Sequence, residues 1–245
     1  MDTFPAHGPI ACRKCFGPSD GGADTLTVGR WQAVNDPGAW GAADPKILVL
    51  GFSKGFTQAG AYRTGRFEDV PFKGMRPRLT EMLQSLGLLP ARVAVDAKMR
   101  SGEEDFAFGS LVRCSLARRN DDGRLECTGA VMPRAFTEEI ASVTRACADT
   151  FLTRLPERTR VVLMLGTTDG YVQSCKKLIR SIHLASWRDI NEVSYRAGGA
   201  VFVHVSHPSG LNGHHPKWMA GDVATSSGLK RKLAEDGIHA ALAAA

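Results

Sequence analysis

The chain has 245 residues, 43% of them hydrophobic and 23% charged, with a formal net charge of +6. Those proportions suit a soluble globular protein with a full core, expected as one α/β domain spanning 1–245 with two small domains as the alternative. They exclude a membrane span, because the longest apolar runs are only Ile47–Leu50 and Val161–Leu165.

The basic balance admits a polyanionic partner such as DNA or RNA, with cations gathered in Arg113–Arg119, Lys176–Arg180 and Lys230–Lys232. The first residues, among them Asp2, Pro5, His7 and Pro9, lack the basic-then-apolar plan of an export signal, so the expected compartment is the cytoplasm. Six cysteines in such a chain point away from a disulfide framework and toward a metal or cluster. No internal repeat or low-complexity tract interrupts the sequence.

Residues 1–45 are rich in Gly, Pro and Asp and read as an irregular arm laid over the body. Ile47–Leu50 is a short buried strand opening into Gly51-Phe52-Ser53-Lys54-Gly55. Leu79, Met82, Leu83 and Leu86 fall at helical spacing, and Gly87 stops that helix. Phe106–Val112 reads as the next strand, running into Arg113-Cys114. Residues 115–133 are polar, contain the turn signal Asp121-Asp122-Gly123, and read as a protruding loop.

Thr137 is placed to cap an amphipathic helix that carries Ile140, Val143 and Phe151 and ends near Pro156. Val161–Leu165 is a central strand, followed by Gly166-Thr167-Thr168-Asp169 and a helix through about Ile182. Ala200–Val205 is another buried strand, and the last helix runs from about Ser227 to the C-terminus. Strands alternating with helices predict a three-layer α/β/α sandwich around a mostly parallel sheet.

The strand at 200–205 runs into His207-Pro208-Ser209-Gly210-Leu211, where Pro and Gly force a tight loop. An imidazole, a hydroxyl and a leucine then stand at the carboxyl edge of a sheet, where open α/β folds build ligand crevices. The plain alternative is a surface turn with an incidental histidine. Cys12-x-x-Cys15 brings two thiolates within reach of one metal centre. Cys175 sits mid-helix and reads as core.

Taken in order, these segments resemble the uracil-DNA glycosylase superfamily, and most of all its iron–sulfur, family-four-like branch. The resemblance runs from Cys12 to about Trp218. It rests on Ile47–Gly55 as the Gly-rich loop, Pro71-Phe72-Lys73-Gly74, Leu111-Val112-Arg113-Cys114, Cys147 with Phe151-Leu152 and Val161–Gly166, and His207-Pro208-Ser209.

The resemblance implies hydrolysis of the N-glycosidic bond of uracil or another deaminated base in single- or double-stranded DNA. His207 would stabilise the leaving base, and Ser53 with the Gly51–Gly55 backbone would hold the water. Gly51, Phe52, Phe72 and Ser110 would bind the base, Phe72 by stacking. Lys54, Ser206 and Ser209 would contact phosphates, and Leu211 would fill the gap left in the duplex. A [4Fe-4S] cluster on Cys12, Cys15, Cys114 and Cys147 is implied as well, with Cys127 as a competing fourth ligand and zinc or no metal as the alternatives.

The sequence departs from the family in two places. Phe52 and Ser53 stand where relatives carry an Asp, Glu or Asn that positions water, and Ser110 stands where they carry a base-reading Asn. Glu68 and Asp69 are candidate replacement acids, or ordinary solvated charges. The missing carboxylate motivates a second reading, a nucleic-acid-binding protein on the same scaffold without the chemistry. A third, a nucleotide-binding α/β protein using Gly166-Thr167-Thr168, lacks a Gly-rich phosphate fingerprint.

Overall fold

The apolar runs Ile47–Gly51, Val161–Leu165 and Ala200–Val205 have every residue buried. A strand buried throughout must be covered on both faces, as in the middle of a parallel sheet. The computed structural model, which describes residues 4–17, 22 and 24–243, places them there.

In chain order the strands are β1 (Gly8–Pro9), β2 (Thr25–Val28), β3 (Trp31–Val34), β4 (Gly38–Gly41), β5 (Ile47–Gly51) and β6 (Phe106–Ser110). They continue as β7 (Ser115–Arg119), β8 (Leu125–Glu126), β9 (Val161–Leu165), β10 (Arg188–Asp189), β11 (Ser194–Ala197) and β12 (Ala200–Val205). The helices are α1 (Phe56–Thr64), α2 (Arg76–Ser85), α3 (Ala141–Leu152), α4 (Asp169–Ile182), α5 (His215–Ala220) and α6 (Ser226–Ala243).

The main sheet has eight strands in the order β1-β4-β6-β5-β9-β12-β11-β10. Only the four central strands are mutually parallel, and both flanks are antiparallel, so the sheet is mixed rather than mostly parallel. Alternate residues of the central strands divide between two apolar clusters. Ile47, Val49 and Val203 pack with residues of α2, α5 and α6, whereas Leu48, Leu50 and Phe202 pack with residues of α3 and α4. No helix among the described residues is long and apolar enough to cross a membrane.

Two segments differ from the expectation. Of residues 1–45, those at 1–3, 18–21 and 23 lie outside the described set; the remainder is not an irregular arm but supplies β1 to β4. Residues 115–133 are not simply a loop either, since they supply β7 and β8. With β2 and β3 these form a second, antiparallel sheet, β2-β3-β7-β8. The period-two signal was present: Trp31 and Ala33 face inward, and Gln32 and Val34 are half-exposed. Its four-residue length let the Gly and Pro around it dominate the reading.

Thr137 does not cap α3. Its hydroxyl donates back to the Arg134 carbonyl (3.4 Å), closing a 3-10 turn over Met132–Phe136, and the helix starts at Ala141. By contrast α2 is followed by Gly87 at φ 69°, the left-handed geometry that ends a helix without a Cβ penalty.

Parallel pairing continues past the ends of β5 and β6. Leu111 N–H donates to the Gly51 carbonyl and Val112 N–H to that of Phe52, both at 2.8 Å, and Lys54 bridges Ser115. This zipper draws Lys54 inward until it is 1% exposed. Its ammonium pairs with Asp36 (3.3 Å) and donates to the Arg113 carbonyl. Asp36 also accepts from the Ser115 N–H (2.7 Å) and hydroxyl (2.5 Å). One buried carboxylate thus fastens the N-terminal segment to both zippered loops.

Removing one member of a buried ion pair leaves the other charge desolvated and alone, which typically costs about 3–5 kcal/mol. Lys54→Met is expected to lose that much in urea unfolding, and adding Asp36→Asn to restore most of it. A single variant as stable as the parent would show that the pair is not structural.

Candidate functional site

Beyond β12 the chain turns through Ser206-His207-Pro208-Ser209-Gly210-Leu211. Ser206 is fully buried; its hydroxyl meets Nδ1 of buried His215 (3.1 Å) and accepts from the Asn212 amide (3.3 Å). Asn212 Nδ2 also donates to the His207 carbonyl (2.8 Å), so one side chain ties both ends of the loop together. The Ser209 backbone N–H donates to His207 Nδ1 (3.3 Å), and the Leu211 N–H donates to Ser209 Oγ (3.2 Å).

Because Nδ1 accepts, the proton of the neutral ring sits on Nε2. Burial, with the neighbouring His215 ring, pushes His207 down to about 4. At neutral pH it therefore offers an uncharged N–H donor, and Nε2 has no partner among the described residues. Leu211, two residues past Ser209, is 94% exposed. Water offers nothing to such a side chain.

The ends of β5 and β6 build a second wall. Gly51 and Ser110 are paired in register, and a Cβ on Gly51 would lie 3.5 Å from Phe72 Cε1 and 3.9 Å from Ser110 Oγ. The three residues therefore meet around one point. Phe72 has φ 52°, a left-handed backbone that a bulky residue adopts only when its surroundings impose it. Gln58 Oε1 accepts from its N–H (3.1 Å), and its ring packs edge-on against Phe108.

Strand β9 lies between β5 and β12, so two spacings of about 4.8 Å put roughly 10 Å between the Gly51 end and the His207 end. Phe72 and Val205 belong to the same apolar cluster, on one face of the sheet. The His207 loop also touches α2, the helix that follows Phe72: a Cβ on Gly210 would come within 2.6 Å of Arg78 Nη1. Phe72, 3% exposed, and the His207 loop thus lie on one edge and one face of the sheet, two strands apart.

Several residues lie elsewhere than the sequence suggested. Lys54 cannot reach a phosphate, because the zipper has buried it against Asp36. The Ser206 hydroxyl is likewise sealed and committed to Asn212 and to buried His215. The Phe52 ring turns to the opposite face, against Phe136 and Tyr171, leaving only its backbone at the loop. Ser53 Oγ donates to Met132 Sδ (3.5 Å). Glu68 faces His7 (3.8 Å) and Asp69 is exposed, so neither replaces the missing carboxylate.

Sequence reasoning missed Asn212, Gln58 and Arg78. Asn212-Gly213 is a turn signal that would have marked the first. Arg78 is exposed and makes no hydrogen bond or ion pair among the described residues, so its charge is free beside the His207 loop.

The four cysteines Cys12, Cys15, Cys114 and Cys147 line one small hollow, together with Lys14 and Arg113. Cys127 is not among them. It lies at the start of α1, where the Phe56 N–H bonds it and Gly55 passes close by. Burial pushes the Cys114 thiol up to about 12 and the Cys147 thiol up to about 11, and it raises Cys15 as well. Such thiols stay protonated unless a cation takes the charge. The Arg113 backbone N–H already donates to Cys147 Sγ (3.2 Å).

Among the described residues no three His, Cys, Asp or Glu side chains converge tightly enough for a single metal ion. A lone zinc, with Zn–S bonds of about 2.3 Å, needs such convergence. Thiolates around a cluster stand further apart, with irons and sulfides between them. The donor set, ringing a hollow beside two cationic side chains, fits the larger group.

No protein-family model and no curated protein matches the chain. Among solved structures, wild-type SMUG2 from Pedobacter heparinus is similar at 12% identity, over 82% of this chain and 77% of that one, with a TM-score of 0.43.

His204, fully buried beneath this edge, donates from Nδ1 to the Gly166 carbonyl (3.0 Å) and is pushed by burial from 6.5 down to about 4. Above pH 6.5 neither the folded nor the unfolded chain protonates it. Between pH 6.5 and about 4 the unfolded chain takes up a proton that the folded one resists, so stability falls by roughly 3 kcal/mol. His207 acts in the same direction. A His204→Gln variant is expected to show a shallower loss of unfolding free energy over that interval, and equal slopes would dismiss the assignment.

Proposed function

We propose that this protein is a DNA base-excision glycosylase, hydrolysing the N-glycosidic bond of uracil or another deaminated base. The observation that carries the reading is the His207 loop: a neutral imidazole with a free Nε2–H beside an almost fully exposed leucine. The fold is read as one glycosylase-like domain, three layers deep, with helices on both faces of the mixed sheet.

In this reaction the bond from the sugar carbon to the base nitrogen breaks, the base leaves with the electron pair, and a water oxygen bonds the sugar carbon. Catalysis rests on stabilising the departing anion and holding the water. His207 Nε2–H donates to a carbonyl oxygen of the base as charge develops there. A neutral donor avoids forming a tight ion pair with substrate before reaction. Phe72 closes one side of the cavity by stacking, with Ser110 touching the base edge.

The Gly51–Gly55 backbone with Ser53 orients the water. Leu211 enters the duplex where the base has left, and Ser209 with Arg78 holds the flanking phosphates. Cys12, Cys15, Cys114 and Cys147 would hold a [4Fe-4S] cluster. When bound, it would clamp the N-terminal segment to α3 and the strand-β6 exit.

The lack of a carboxylate at Ser53 favours a second reading, a binding protein on this scaffold that forms no abasic product. A panel of oligonucleotides containing uracil, hypoxanthine or xanthine, single- and double-stranded, separates the two. Cleavage above the no-protein control supports the first, and salt-sensitive binding without product supports the second.

If cleavage occurs, His207→Ala is expected to slow it about 10²–10³-fold, the usual cost of losing one donor to a developing anion. Its circular dichroism should be unchanged. Undiminished cleavage by the variant would remove His207 from the mechanism. Leu211→Ala is expected to slow double-stranded more than single-stranded substrate, because only a duplex has a gap to fill; an equal effect would reject the wedge.

A further inference from the structure

Arg113 is a cation sealed inside this protein with no counter-ion among the described residues. It is 2% exposed, and Nε, Nη1 and Nη2 all lack a hydrogen-bond partner among the described residues. Its guanidinium lies between the Phe4 and Phe151 rings, 5.7 and 5.3 Å from their centroids. Gly109 leaves the space, since a Cβ there would overlap Nη1. Aromatic faces offer a cation some attraction, yet five N–H donors remain unspent.

Chains rarely bury a lone guanidinium, because losing its hydration costs several kcal/mol. Among the described residues, the group with negative-charge capacity that Arg113 faces is the cysteine-lined hollow, which it lines itself and where Cys147 lies nearest in charge. Lys54, the other sealed cation nearby, is already neutralised by Asp36.

We infer that Arg113 is the built-in counter-charge of the cysteine centre, donating its side-chain N–H groups to sulfur and setting the charge state that the centre prefers. This rests on the cluster reading given above. Four thiolates around an iron–sulfur core make an anion, and a planar five-donor cation meets several sulfurs from one side, which a lysine ammonium cannot. A fixed positive charge also favours the form with one more electron, so Arg113 raises the reduction potential of the centre.

The test uses the full-length protein purified without air. Iron and sulfide analysis of the parent comes first; a parent that binds neither, even after reconstitution with ferrous iron and sulfide, overturns the cluster reading itself. In a parent that holds the cluster, Arg113→Met and Arg113→Lys are titrated with dithionite and followed by visible absorbance and electron paramagnetic resonance.

Arg113→Met is expected to shift the reduction equilibrium about tenfold toward the oxidised form, about 59 mV more negative for one electron, and Arg113→Lys less. Iron loss to a chelator should quicken in Arg113→Met. The metal-free forms should change in the opposite sense, Arg113→Met melting higher than the parent because the unpaired charge is gone. A cluster-bearing parent whose Met variant keeps the same potential and the same iron retention would overturn the counter-charge. A Met variant that takes up no cluster, while its metal-free form melts at or above the parent, supports it, and the Lys variant then supplies the potential.

Discussion

A buried carboxylate, Asp36, sets the geometry on which both candidate centres depend. It holds Lys54 and Ser115 at once, so the loops leaving β5 and β6 run side by side instead of splaying apart. From that pairing Gly51 and Ser110 are fixed against each other at the strand ends. Three residues further on, Arg113 and Cys114 are delivered to the opposite side of the same ladder. The paired strand ends at Gly51 and Ser110 and the cysteine hollow are thus two parts of one construction. Its polar cost is met inside the protein, because each charge in the Asp36 network has a partner.

The two centres solve opposite electrostatic problems. At the sheet edge burial keeps His207 neutral, which suits a donor to a charge that appears only as a bond breaks. At the hollow burial keeps the Cys15, Cys114 and Cys147 thiols protonated beside a guanidinium that has no hydrogen-bond partner among the described residues. Desolvation acts in both places, but on groups of different chemistry.

The loop carrying His207 is braced by side chains of its own and of α5. Asn212, Ser206, His215 and Ser209 make a closed set of hydrogen bonds around it, and the apolar cluster under Val205 anchors its start. Holding a donor and an apolar tip at fixed separation removes the entropy that either would lose on meeting a ligand. Phe72 contributes in the same way, with its uncommon backbone angle held by Gln58.

The sequence by itself determined the central strands, the helices α2, α4 and α6 and the order of motifs, whereas the choice of Cys147 over Cys127 beside Cys12, Cys15 and Cys114 came from the tertiary structure. Continuous β-branched runs and helical spacing are local signals, and neighbouring residues settle them. Folding alone decided that Lys54 and Ser206 are sealed, that the Phe52 ring faces away from Phe72, and that the Arg113 guanidinium has no hydrogen-bond partner among the described residues. For Lys54, Phe52 and Arg113 the outcome depends on pairing between loops about 60 residues apart in the chain, and for Ser206 on the His215 and Asn212 side chains that fold back over it. Nothing in a local pattern reports which way a lysine or a phenylalanine turns once two loops are zipped together. The second sheet, β2-β3-β7-β8, belongs between these cases: its alternation was legible, but strands this short become strands only when a distant partner completes their hydrogen bonds.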